Sequence, residues 1–296
     1  MAGEFDFIQW VRSQQKPSEL VALPAGDDLA VLRWPTNNLL LVGVDQILDG
    51  VHFDSKIHSP RDIGRKAMNR NLSDCAAMGC LPTAAVTTVA AQKGTGLAFL
   101  KELYAGMREA ADVYGCQIVG GDTGSWDGKL VVTVTILGRN DGVSPMTRRG
   151  AKVGDGLFVT GPLGGSILGR HMTFTPRVAE GRLIAAGMAT AMIDLSDGLS
   201  HDLGHICEQS GVGAVLDAAL IPIHSDAIQL SSRDEVDPLE HALHDGEDYE
   251  LLYTCGPDVK DLPGILIGMI TEKPGVFLSR SGQVERLKPR GWEHSL

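Results

Sequence analysis

Aspartates at expected strand ends and turns, most of them beside glycine, recur at six places in this chain, and they constrain its fold more than any other feature. The places are Gly26-Asp27-Asp28, Asp45, Leu72-Ser73-Asp74, Gly121-Asp122, Asp194-Leu195-Ser196-Asp197-Gly198 and Gly246-Glu247-Asp248. A single Asp-Gly pair is ordinarily a turn, because both residues accept turn conformations. Six such places, most adjoining apolar strands, make an all-turn reading much weaker. Carboxylates gathered in one region repel one another unless cations neutralise them, and magnesium held by one or two carboxylates plus substrate phosphates is the usual solution. The pattern therefore points to phosphoryl chemistry, in which the protein's tasks are positioning and charge neutralisation. An acceptor that is itself a phosphate is largely ionised near neutrality and needs no general base, and no Ser-His-Asp or Cys-His pairing stands out.

The stretches between these places alternate between strand and helix patterns. Residues 29–33 and 38–45 read as strands, separated by the turn formers at 35–38. Ile63, Ala67, Met68, Leu72, Cys75 and Ala76 recur at three- and four-residue spacing, which predicts a helix over 60–78 with one buried stripe and Asp74 near its C-terminal end. A strand over 83–91, a helix over 99–114 and strands over 116–119 and 130–137 follow, the last two flanking a glycine-rich turn at Gly120-Gly121-Asp122-Thr123. Turn formers crowd residues 140–155 and suggest a boundary there. Beyond it we expect strands at 156–160, 213–217, 249–255 and 264–270 and helices at 177–188 and 198–210. The fold class is accordingly α/β with two α+β domains, 1–145 and 146–296.

Composition narrows the function further. A hydrophobic fraction of 43% with 21% charged residues belongs to an ordinary folded chain, and 296 residues favour two domains. No apolar run approaches the ~20 residues that span a bilayer, so no membrane association is expected. The acidic start, Met1-Ala-Gly-Glu-Phe-Asp-Phe, lacks the order of a signal peptide, and a cytoplasmic location is expected. Cys75, Cys80, Cys116, Cys207 and Cys255 form no CxxC pair, which argues against a disulfide framework or a structural zinc site. A net charge of -11 disfavours nucleic acid as a partner. The standard nucleotide motifs are missing too. The glycine-rich stretch Gly161-Pro-Leu-Gly164-Gly165-Ser-Ile-Leu-Gly169 has neither the P-loop lysine nor a GxGxxG order. It follows an expected strand and opens a short helix, so it is either a phosphate cradle or a tight turn packing helix on strand.

Taken together, the six aspartate blocks, Asp49-Gly-Val-His52-Phe53, Asn71-Leu-Ser-Asp74-Cys-Ala-Ala-Met-Gly79, Gly120-Gly-Asp-Thr123, Thr147-Arg148-Arg-Gly150-Ala-Lys-Val-Gly-Asp155 and Gly246-Glu-Asp-Tyr-Glu-Leu251 resemble the thiamine-monophosphate kinase family. The blocks keep the family's order, and Gly291-Trp292-Glu-His294 is similar to its tail. The resemblance implies ATP-dependent phosphorylation of thiamine monophosphate to the diphosphate by direct in-line transfer with several Mg2+ ions. It implies Asp28, Asp45, Asp74, Asp122, Asp194 and Asp197 as metal ligands. Gly121, Asp122, Arg148, Ser196 and Tyr104 would meet ATP. His52, Glu247 and Trp292 would hold the thiamine moiety, Trp292 offering an aromatic face to a cationic ring. It also implies a homodimer formed by the N-terminal sheets, with a C-terminal α/β sandwich.

Plainer roles stand beside these. A lone His after a strand is commonly structural, a C-terminal Trp often seals a core edge, and Arg148 fits a boundary surface. Two departures bear on the metals and the substrate: Gly43-Val44 stands ahead of Asp45 where the family commonly carries hydroxyls, and the segment between Gly169 and Pro176-Arg177 is short. The alternatives are another ATP-dependent enzyme of the wider superfamily, which includes aminoimidazole ribonucleotide synthetase and selenophosphate synthetase, or a nucleotide-binding homologue without turnover. The first 74 residues contain no Cys to serve selenium chemistry, and all six aspartates are present, which favours an active kinase.

Overall fold

The computed structural model describes residues 4–16, 18–24 and 30–291, so Asp28 and Trp292 lie outside the described residues. Contacts divide the chain into two units, Met1–Leu72 with Leu81–Gly142, and Ser73–Cys80 with Val143–Leu296.

The first unit contains α1 (Glu4–Ser13), the short strands β1 (Val21–Leu23) and β2 (Val31–Leu32), β3 (Leu40–Leu48), the first turns of α2 (Pro60–Ala77), β4 (Leu81–Gln92), α3 (Leu97–Val113), β5 (Gln117–Trp126) and β6 (Val131–Arg139). Its main sheet has the order β3-β6-β4-β5; β6 runs antiparallel to both neighbours, and β4 and β5 are parallel because α3 crosses between them. Every second residue faces the same side. Ile47, Val132, Val134, Ile136, Ala85 and Val89 are buried on one face together with Met68 and Leu72 of α2 and Leu103 and Met107 of α3. The opposite face is bare along β3, where Leu40, Val42 and Val44 are 53%, 63% and 63% exposed. One local expectation fails. Gly120-Gly121-Asp122-Thr123 is not a turn, because β5 runs straight through it, paired residue for residue with Val86–Val89 of β4. The glycines serve close strand approach: a side chain at Gly121 would strike the Thr87 carbonyl.

The second unit contains β7 (Gly156–Val159), α4 (Arg170–Thr173), α5 (Val178–Ala186), β8 (Ala191–Asp194), α6 (Leu199–Ser210), β9 (Gly213–Asp217), α7 (Ser225–Asp234), α8 (Pro238–His244), β10 (Leu251–Cys255), β11 (Ile265–Thr271), β12 (Gly275–Arg280) and β13 (Gln283–Arg286). Seven strands form one mixed sheet in the order β13-β12-β9-β11-β7-β10-β8, in which only β12 and β9 are parallel. Leu157, Val159, Ile193, Leu216, Leu252 and Ile267 of the sheet bury themselves with Leu199, Leu203 and Ile206 of α6 and Leu239 and Leu243 of α8. This is the α/β architecture expected from the sequence. The last turn of α2 belongs here because α5 lies against it: Gly181 touches the Ala76 carbonyl, and the Arg182 guanidinium donates to the Gly79 carbonyl at 3.0 Å. The elements α1, β1, β8, α7, α8, β12 and β13 have no counterpart in the sequence reading. Among the described residues no helix is long and apolar enough to cross a membrane.

Candidate active site

Strands β8 and β10 pair antiparallel, Asp194 opposite Leu251, so the segment leaving β8 and the segment entering β10 emerge at the same end of the sheet. There the two aspartate blocks that lie some fifty residues apart in sequence are zipped together. The Leu195 amide donates to the Glu250 carbonyl at 2.8 Å, the Tyr249 amide to the Leu195 carbonyl at 2.8 Å, and the Glu247 amide to the Ser196 carbonyl at 2.7 Å. Gly246, at φ 75°, passes so close to Ser196 and Asp197 that a side chain would press on the Ser196 carbonyl. Glu247 and Tyr249 follow at φ 51° and 52°, conformations that L residues seldom hold without a surrounding constraint. That constraint is visible: the Tyr249 ring stacks on Phe174 at 3.8 Å, and its hydroxyl donates to Glu247 Oε1 at 3.3 Å. The fold thus brings Asp194, Ser196, Asp197 and Glu247 into one place.

Asp194 is almost fully buried at the end of β8, and the buried Ser73 hydroxyl donates to its Oδ2 at 2.6 Å. Ser73 precedes Asp74 on α2, which places Asp74 in the same neighbourhood. Asp202, in the first turn of α6, is 1% exposed and accepts from the amides of Asp197 and Gly198, each at 3.1 Å. Burial first, then the charges of Asp197 and Asp194, push its carboxyl up to about 8. A buried carboxyl with a raised pKa beside two further carboxylates is the kind of environment found at functional sites. Arg148 places a positive charge beside His205 of α6. The Ser210 hydroxyl donates to the Arg148 carbonyl at 3.3 Å, and burial, with the Arg148 guanidinium and His201, keeps His205 below the ordinary imidazole value. The tail also arrives here: the Ser200 hydroxyl donates to the Arg290 carbonyl at 2.8 Å, and Gly291 lies against Asp197 and His201.

In the first unit, Asp45 of β3 accepts from Arg70 Nε of α2 at 2.7 Å. Gly43 shares its face, whereas the Val44 side chain points to the bare face. Asp122 also belongs to that bare face, in a cross-strand row with Thr88, Thr133 and Gln46, so the sheet does not put Asp45 and Asp122 on one side. His52 is buried behind β3. Its Nδ1 accepts from the Leu48 amide at 3.1 Å, which leaves the proton on Nε2, and the buried Lys66 ammonium donates to its carbonyl at 2.6 Å. Tyr104 sits in the packing of α1 on α3, edge-on to Trp10 at 5.6 Å, and burial raises its hydroxyl pKa.

Residues 26–140 match the model of the AIR synthase related protein N-terminal domain. A thiamine-monophosphate kinase from Rhodopirellula baltica is 39% identical over 308 residues, covering 98% of this chain and 97% of its own. This chain belongs to the thiamine-monophosphate kinase family. Solved structures of the family superpose along almost all of it. AaThiL complexed with AMPPCP and TMP gives a TM-score of 0.80 at 29% identity, covering 99% of this chain and 97% of that one. The thiamine-monophosphate kinase from Stenotrophomonas maltophilia gives 0.81 at 31% identity, covering 93% and 96%.

Within this family frame the glycine-rich stretch at 161–169 resolves as a tight turn. The Gly164 amide donates to both oxygens of Asp248, at 2.9 and 3.1 Å, and the Gly165 amide to Asp245 at 2.9 Å. The chain's own carboxylates occupy the donors that a phosphate would need. Asp248 is pushed up to about 7 by burial, although Arg170 at 2.9 Å and the Gly164 amide oppose the shift. Sequence reasoning missed Ser73 and Asp202. Ser73 stood inside a recognised block, and Asp202 sits in the first turn of α6, a position from which its carboxylate reaches back to the amides of Asp197 and Gly198 just ahead of the helix.

Proposed function

We propose that this chain transfers the γ-phosphoryl group of ATP to thiamine monophosphate, giving thiamine diphosphate and ADP. The observation that carries the reading is the zipped pair of loops that sets Asp194, Ser196, Asp197 and Glu247 side by side in a chain related along its full length to thiamine-monophosphate kinases. The donors gathered there are hard oxygens, the chemistry that suits Mg2+. Asp74, Asp194 and Asp197 in the second unit, and Asp28, Asp45 and Asp122 in the first, are the residues we assign to hold several such ions, with Asp45 and Asp122, on opposite faces of their sheet, serving different ions. Bound Mg2+ supplies neutralisation of the phosphate charge.

The protein's own contribution is rigidity. Ser73 fixes the carboxylate plane of Asp194 by one short charge-assisted hydrogen bond, and the left-handed residues Glu247 and Tyr249 lock the facing loop before any ligand arrives. The acceptor phosphate carries its own negative charge, so no residue is assigned as general base. Gly121, Asp122, Arg148, Ser196 and Tyr104 are assigned to ATP; His52, through its Nε2–H, Glu247 and Trp292 are assigned to the thiamine moiety.

The bare sheet face with Leu40, Val42 and Val44 supports a homodimer built from two such sheets, because contiguous exposed apolar residues on a sheet are normally covered. Asp122 shares that face, which supports a nucleotide site near the subunit boundary. We assign the enzyme to the cytoplasm.

The test is direct. Purified protein incubated with ATP, Mg2+ and thiamine monophosphate should yield thiamine diphosphate by mass spectrometry, and Asp194→Asn and Asp197→Asn should reduce the rate by at least about a hundredfold while each variant stays folded. Tight nucleotide binding with no diphosphate formed would replace the kinase reading with that of a binding protein.

A further inference from the structure

Helix α6 carries a constellation that phosphoryl transfer leaves unused. His201 and His205 stand four residues apart, one turn along the same helical face, with Asp202 between them. Each of the three offers one ligand atom, and these atoms lie within 4.8 Å of one another. The two imidazoles meet edge to face at 4.8 Å between centroids. His201 Nδ1 is shielded from solvent yet makes no hydrogen bond; Asp202 Oδ1 stands 3.7 Å from it and Asp197 Oδ2 3.9 Å. A shielded imidazole nitrogen near two carboxylates without bonding either is a costly arrangement for a purely structural histidine. The group opens onto a cleft of about 500 Å3, lined by His201, Gly204, His205 and Glu208 on the helix side. Gly204 has no heavy atom within 4 Å of where a side chain would begin, so the path from solvent is clear.

We propose that His201, Asp202 and His205 form a binding site for a borderline transition-metal dication of the Zn2+ or Co2+ type, distinct in chemistry from the all-oxygen Mg2+ ligands. Zn–N and Zn–O bonds of roughly 2.0–2.2 Å place ligand atoms roughly 3.4 Å apart on a tetrahedral ion, so the three donors need to close by only about 1–1.5 Å. Rotation of the two imidazoles is the movement this closure would use. Three protein ligands leave a fourth position for water from the cleft, with Glu208 one turn further along the helix. Imidazole nitrogen discriminates against Mg2+, which prefers oxygen, and this lets the site fill in the presence of abundant magnesium.

The experiment uses the full chain without a histidine tag, titrated with Co2+ in excess Mg2+ and no nucleotide. One equivalent should bind with the visible absorption of a nitrogen-ligated site, Zn2+ should displace it, and the ring resonances of two of the nine histidines should broaden in the wild-type protein. His201→Gln and His205→Gln, each checked for folding by circular dichroism, should weaken binding by at least about tenfold. The proposal is overturned if the wild-type protein binds no Co2+ that resists Mg2+, if no histidine resonance responds, or if folded His201→Gln binds as the wild type does. None of these readouts involves phosphoryl transfer, so they stand or fall apart from the kinase reading.

Discussion

Replacing Asp202 with Asn removes one titrating group from beside Asp194 and Asp197, and the structure fixes how stability should respond. The carboxyl is 1% exposed, and burial together with Asp197 and Asp194 raises it from 3.8 to about 8 in the folded chain. The unfolded chain, with the ordinary value, releases its proton near pH 4. Between those two values the native state binds one proton more than the unfolded state, so stability falls as pH rises. The slope is about 1.4 kcal/mol per pH unit, which amounts to about 4 kcal/mol between pH 5 and pH 8. At pH 5 the folded Asp202 is neutral, as Asn is, and can still accept from the amides of Asp197 and Gly198; the two proteins should then differ by less than about 2 kcal/mol. By pH 8 the wild type should have lost several kcal/mol relative to Asp202→Asn. Urea unfolding followed by circular dichroism in EDTA, at intervals from pH 5 to pH 8.5, measures the difference directly. Parallel curves for the two proteins would refute the argument, since they would mean that Asp202 ionises in the folded state much as it does in water.

Two further outcomes are expected. Ser73→Ala removes the buried hydroxyl that donates to Asp194 Oδ2 and should cost about 1.5–3 kcal/mol in unfolding free energy while raising the Mg2+ concentration needed for half-maximal turnover; an unchanged Mg2+ requirement would separate Asp194 from metal binding. The double variant Val42→Lys/Val44→Lys places two charges on the bare sheet face and should convert a dimer to a monomer by light scattering without loss of helical signal; an unchanged mass would remove that face from the interface.

Much of the secondary structure was legible because periodicity follows directly from which side of an element is buried. The stripe Ile63, Ala67, Met68, Leu72 predicted α2 to within a residue at its C-terminal end, and every one of those side chains is buried. Gly120-Gly121-Asp122-Thr123 misled for a physical reason: glycine reads as punctuation, yet here it lets β5 lie against the Thr87 carbonyl of β4, a need set by a strand more than thirty residues away. The site was legible as a set of residues and illegible as a shape. Nothing in the sequence pairs Asp194 with Leu251, and it is this pairing that brings Ser196 to the Glu247 amide. His201 escaped notice because its meaning depends on an unsatisfied nitrogen, which only coordinates reveal.

The corner at Gly164 and Gly165 carries a lesson for inhibitor chemistry. A compound that imitates a nucleotide's pyrophosphate, built on the logic of P-loop enzymes, would meet Asp248 and Asp245 there and be repelled. Selectivity over such enzymes follows, and ligand design does better to begin from the paired loops around Ser196 and Glu247.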